Sequence, residues 1–230
     1  MNVSRAVFIF FAALVLTAGC SRRGADGIQD ADLRLAATDP VKLPSVPVSE
    51  DMAQALISEL NGWGSQGKEF VESLYTCSAR AATPEAGKVP KDCDSDYDID
   101  PACLLKHGIG RKTVHRVLEA ERVDLNKDGV PDYLISASDC MELTANSSNA
   151  YFVMLSQGKN EFHLAYADVA IDQLLAVENP AGDATLIERL SRNFGTTTKI
   201  YRLADGRFVA RECIHRDERG TSRCKMNQAN

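Results

Sequence analysis

The chain has 230 residues, with 32 acidic side chains against 26 basic ones and a formal charge of −6. That balance excludes the basic footprint by which proteins hold nucleic acid, and the length suits one domain with a proper core. Seven cysteines with no CxxC pair argue for an oxidising compartment and disulfides, not for thiolate metal sites.

In chain order, Met1 to Gly19 reads as a signal peptide: Arg5 supplies the positive start, and Ala6 to Leu16 is an apolar run too short to span a bilayer. Leu16-Thr17-Ala18-Gly19-Cys20 resembles the lipobox of bacterial lipoproteins. The resemblance implies a lipidated Cys20 as the first mature residue. Ser21 is not the aspartate of an inner-membrane retention signal, so the expected location is the outer membrane, facing the periplasm. Removal of Arg5 with the signal would take the formal charge from −6 to about −7. Residues 20–50, with Pro40, Pro44 and Pro47 and no sustained hydrophobic period, predict a lipidated cysteine followed by a tether. A single disulfide-bonded domain is expected over 51–230.

Ser49 predicts a helix cap, and Met52, Leu56, Ile57 and Leu60 recur at helical spacing until Gly62 and Gly64. A second short helix is predicted from Gly67 to Tyr75, and a loop pinned by cysteines from Cys77 to Gly110. Strands are expected at Thr113–Val123, Tyr133–Ser138, Ala150–Leu155, Phe162–Tyr166, Ile171–Val177, Thr185–Leu190, Thr197–Leu203 and Arg207–Ile214. Gln157-Gly158-Lys159-Asn160, Pro180-Ala181-Gly182-Asp183 and Ala204-Asp205-Gly206 separate neighbours at hairpin distance. The predicted class is mainly β: an antiparallel meander or a partial propeller-like domain with a short helical N-terminal part and disulfides. Apart from Cys20, six cysteines admit about fifteen pairings. Short separations favour Cys93 with Cys103 and Cys213 with Cys224, leaving Cys77 with Cys140.

Asp124-Leu125-Asn126-Lys127-Asp128-Gly129-Val130-Pro131-Asp132 places side-chain oxygens at loop positions one, three, five and nine. The Val130 carbonyl falls at seven, and Gly129 at six, where the turn needs positive φ. A hard cation such as calcium takes several oxygens at roughly 2.3–2.6 Å. Position twelve is Ile135 and a strand follows, so this is not an EF-hand. The loop resembles the calcium loops of FG-GAP and related adhesion-type repeats. That resemblance implies a structural calcium held by Asp124, Asn126, Asp128, Val130 and Asp132. A second alternation, Asp92, Asp94, Asp96, Asp98 and Asp100, has Tyr97 where the turn glycine belongs and reads as a solvated acidic loop.

No GxSxG, HExxH, Walker A or dinucleotide fingerprint is present, and His107, His115, His163 and His215 are scattered. Ser156-Gln157-Gly158-Lys159 matches an SxxK spacing, but at a predicted hairpin instead of a helix start. The chain is therefore expected not to be an enzyme. Lipobox, tether, disulfides and one calcium-type loop together resemble a group of bacterial envelope lipoproteins. That group includes immunity proteins that block peptidoglycan-degrading effectors delivered by type IV secretion, with folds similar to periplasmic lysozyme inhibitors. The resemblance implies an inhibitor whose protein partner is a cell-wall-degrading, lysozyme-like hydrolase. Ser191-Arg192-Asn193, followed by Phe194-Gly195, is the expected contact tip, with an ordinary hairpin connection as the plainer reading. The alternatives are a calcium-stabilised structural or adhesive envelope module and, third, an envelope hydrolase with an unrecognised site.

Overall fold

The computed structural model describes residues 30–37, 39, 42–86, 89–90, 92–93, 100–137, 140, 149–158, 161–178 and 184–225. The expected signal peptide, Cys20, most of the acidic alternation and the 180–183 turn lie outside the described residues.

Two five-stranded antiparallel meanders make the core of the molecule. The first holds β1 (Ser45–Pro47), β2 (Glu119–Val123), β3 (Asp132–Ala137), β4 (Asn149–Gly158) and β5 (Glu161–Ile171), neighbours in that order. The second holds β6 (Gln173–Glu178), β7 (Ala184–Arg192), β8 (Gly195–Ala204), β9 (Arg207–Asp217) and β10 (Gly220–Arg223), again in sequence order. The meander expectation is met, twice over. Asp205 and Gly206, both at positive φ, close the β8–β9 hairpin as the Asp-Gly signal predicts.

Side-chain alternation makes the layers. Leu134, Val153 and Leu155 of the first sheet share a cluster with Leu186, Tyr201 and Phe208 of the second. Their neighbours Ile135, Phe152 and Met154 point the other way, onto α2 (Glu50–Asn61) and α3 (Gly64–Ala86). Ser49 caps α2 by accepting the Met52 amide at 3.1 Å, and Met52, Leu56, Ile57 and Leu60 are buried as predicted. Phe70 of α3 meets Phe152 edge to face at 6.0 Å.

Four expectations need correction. The tether over 20–50 is in part folded: α1 (Asp30–Ala36) buries Leu35 with Ile187, Ile200 and Ile214 of the second sheet, and β1 pairs with β2. Its order comes from tertiary contacts, including Arg189 donating to the Ala36 carbonyl at 3.0 Å and Arg202 facing Asp32 at 3.8 Å. Such contacts leave no local hydrophobic period. The helix expected to end at Tyr75 runs on to Ala86, because Cys77, Ser78 and Ala79 are buried and alanines favour the helix. The 77–110 loop therefore begins as helix. It also contains α4 (Pro101–Lys106), capped by Asp100 with proline at its start. The strand expected from Thr113 starts only at Glu119; Val114–Val117 is a 3₁₀ turn with Val114 buried.

Three disulfides join Cys77 to Cys140, Cys93 to Cys103 and Cys213 to Cys224, with Cα separations of 5.4, 5.3 and 5.2 Å. This is the pairing that short spacing favoured. Among the described residues no helix is long and apolar enough to cross a membrane.

Candidate metal loop and candidate contact hairpin

The loop between β2 and β3 folds around its own carboxylates. Gly129 adopts φ 81° and Lys127 φ 58°, the tight coil expected of the spacing. Asp124 Oδ2 accepts the Gly129 amide at 3.1 Å, Asn126 Oδ1 the Asp128 amide at 3.2 Å, and Asp128 Oδ1 the Val130 amide at 2.7 Å. Asp124, Asn126, Asp128 and Val130 are exposed.

Asp132 behaves differently. It is fully buried; Oδ2 accepts the Leu125 amide at 2.8 Å and Oδ1 the Ser156 amide at 2.9 Å, with the Asn126 amide also donating to it. Burial pushes its carboxyl up, against the pull of those three amides. Asp132 thus staples the loop to β4. Ser156, the first residue of the SxxK match, lies in β4 with its hydroxyl on the Pro131 carbonyl, a structural position.

The all-oxygen donor set suits a hard cation. Asp124, Asn126 and Asp128 offer exposed side-chain oxygens, and each loop oxygen that accepts one amide retains a lone pair. The three loop carboxylates do not gather within 4.8 Å of one another. Asp92, Cys93, Cys103 and His107 do. There, however, the two sulfurs are joined to each other, so neither is a thiolate ligand, and His107 Nε2 already pairs with Asp92 at 2.9 Å.

The predicted tip is the β7–β8 turn. Arg192 pairs with Gly195, so Asn193 and Phe194 make a two-residue connection, and Ser191, Arg192 and Asn193 are exposed. Phe194 is 85% exposed, against 43% for Val209 and 38% for Val130, the other exposed large apolar side chains among the described residues. Gly195 sits at φ 135°, and a Cβ there would lie 2.3 Å from the Arg216 carbonyl, so the position demands glycine. Asp172, at the β5–β6 corner, braces the base of the hairpin: its carboxylate accepts the Ser191 amide and faces Arg192 at 3.7 Å. Phe194 was expected only as the neighbour that follows the contact residues, and the Asp172 brace was not expected at all. Asp172 lies 19 positions from Ser191, and no spacing pattern reports such a pair.

Between the sheets, Glu188 is buried and satisfied: Tyr166 donates to it at 3.0 Å, Lys199 at 2.7 Å, and Tyr201 closes the set. Burial holds both phenols far above the usual tyrosine range, so both stay protonated and can donate to the carboxylate. Nearby, burial raises the Asp168 carboxyl although the Val169 amide, 2.8 Å away, pulls it down; the Glu188 charge adds to the rise. A raised carboxyl contributes most stability below its unfolded value near 3.8, and that contribution is lost as pH rises through the folded value. Asp168→Asn keeps an acceptor for Val169 and removes the charge. It is expected to raise unfolding stability at pH 7 by about 0.5–1 kcal/mol. The gain should shrink as urea melts are repeated down to pH 4; a gain independent of pH would rule out the charge as its origin.

No family model, curated protein or solved structure matches the chain.

Proposed function

We propose that this protein is a periplasm-facing lipoprotein that binds and inhibits a cell-wall-degrading, lysozyme-like hydrolase, using the β7–β8 hairpin as its contact tip and calcium to stiffen the β2–β3 loop. The observation that carries the reading is Phe194, an almost bare aromatic beside Arg192 on a hairpin braced by Asp172 and Gly195. Aromatic and arginine side chains are the residue types that dominate binding energy at protein interfaces. A rigid turn presents them without the ordering cost of a flexible loop. Arg192 suits the acidic catalytic cleft of such hydrolases, and the chain's net negative charge suits their basic outer surface. The calcium loop would be held by Asp124, Asn126, Asp128 and the Val130 carbonyl, with Asp132 anchoring it.

The test is capture of peptidoglycan hydrolases by the full-length protein, followed by turbidity-clearing assays of the captured enzyme. Inhibition is expected to fall about 30-fold in Phe194→Ala and in Arg192→Ala, roughly the 2 kcal/mol of an interface hot spot. Retention of no hydrolase by the folded protein would sink the inhibitor reading and leave the calcium-stabilised envelope module.

A further inference from the structure

The inner face of the first sheet is not uniformly apolar. Strand register sets Glu119 of β2, Ser136 of β3, Tyr151 of β4 and Asp168 of β5 side by side in one row, and Glu121, Leu134, Val153 and Tyr166 in the next. Ala120, between the two glutamates, packs toward the helices. Alternation therefore turns both glutamates to the face that looks toward the second sheet, Glu119 exposed at its edge and Glu121 half-buried.

The two ends of that space differ. At the β5 end the chain supplies its own cation, with Lys199 on Glu188 at 2.7 Å. At the β2 end the sheets part into a cleft of about 410 Å³ lined by Glu119, Glu121, Tyr151 and Gln173, with Leu134 and Leu174 as apolar walls. The Tyr151 hydroxyl accepts the Asn149 amide at 3.2 Å and is hydrogen-bonded to the Leu174 backbone of β6, which ties the two sheets at the cleft. Glu119 and Glu121 have no ion pair or hydrogen bond with any described side chain; Lys42 lines the cleft without reaching either of them. Glu121 is half-buried, and its carboxyl is raised first by burial and then by the Glu119 charge.

We propose that this cleft receives a lysine or arginine side chain presented by a protein partner, the aliphatic stem lying on Leu134 and Leu174 and the charged head meeting Glu119 and Glu121. The volume lies at the small end of ligand sites, enough for one long side chain. Leucine walls beside paired carboxylates match a group that is apolar along its length and cationic at its end. The cleft also adjoins the hairpin base: Gln173 accepts from Arg189 of β7 at 3.3 Å, and the preceding residue is the Asp172 that braces Ser191 and Arg192. The proposal rests on the inhibitor reading only for the source of the side chain.

The experiment titrates the full-length protein with N-acetyl-lysine methylamide and N-acetyl-arginine methylamide while following backbone amide resonances. N-acetyl-norleucine methylamide serves as the neutral probe and calcium as the inorganic one. Saturable shifts at Glu121, Ser136, Tyr151 and Gln173 are expected with both cationic probes. Affinity should weaken at least about tenfold in Glu119→Gln/Glu121→Gln, with the thermal midpoint of that variant recorded to show that it folds. Equal response to norleucine would make the cleft an apolar crevice. Saturation by calcium alone would make it an ion site, and no saturable shift would end the proposal. Probe binding without any captured hydrolase would keep the cleft and remove the inhibitor; inhibition without probe binding would do the reverse.

Discussion

Asp132→Ala is expected to lower unfolding stability in chelator by on the order of 4 kcal/mol. The carboxylate is fully buried and takes amides from Leu125, Asn126 and Ser156. Removing it strands donors that cost about 1–3 kcal/mol each, the more exposed Asn126 being at the low end, and relief of a desolvated charge offsets part of the loss. Asp128→Ala is the contrast. Its exposed carboxylate takes the Val130 amide and the Asn126 side chain, so the chelator baseline should move by about 1 kcal/mol or less. Calcium at about a hundred times its dissociation constant should stabilise the parent protein by about 2.7 kcal/mol. Asp128→Ala should lose that increment. Urea melts in chelator and in calcium read both quantities. An Asp132→Ala protein as stable as the parent would dismiss the staple, and no calcium increment in the parent would dismiss the ion.

The second large effect belongs to Cys77→Ala/Cys140→Ala. The bond spans 63 positions and ties α3 to the segment before β4, whereas the other two span 10 and 11. Chain-closure entropy scales with the logarithm of that span, which gives about 4 kcal/mol for the long link and about 3 for either short one. Denaturant midpoints of the three double variants should rank in that order. If a short link proves costliest, local packing and not chain closure sets the stabilisation.

Local chemistry made part of this architecture legible in the sequence. Ser49 and the Met52–Leu60 spacing report one helix face, Asp205-Gly206 reports one turn, and close cysteines report two bridges, because each signal is complete within about a dozen residues. Leu35 carries no such signal: its burial depends on Ile187, Ile200 and Ile214, far along the chain. Asp132 shows the converse. Its spacing marks it as one more loop oxygen, but a partner 24 positions away, Ser156, makes it an internal acceptor. The row Glu119, Ser136, Tyr151 and Asp168 exists only through strand register, so the cleft and its two carboxylates are written in no window of sequence.

In the proposed lipoprotein, the docking of α1 would also set how far the protein can travel. Were all of residues 21–50 a free leash, a lipidated Cys20 would let the domain roam about 100 Å from the bilayer. With Asp30–Ala36 seated on the second sheet, only the span of residues 21–29 would separate that anchor from the fold, and a chain of that length cannot reach beyond about 30 Å. In the proposed lipoprotein, a domain on so short a lead would patrol a shell close to the membrane, attached through the outer face of that sheet. Its encounters would then be with enzymes that arrive at the lipid surface, not with those deep in the wall.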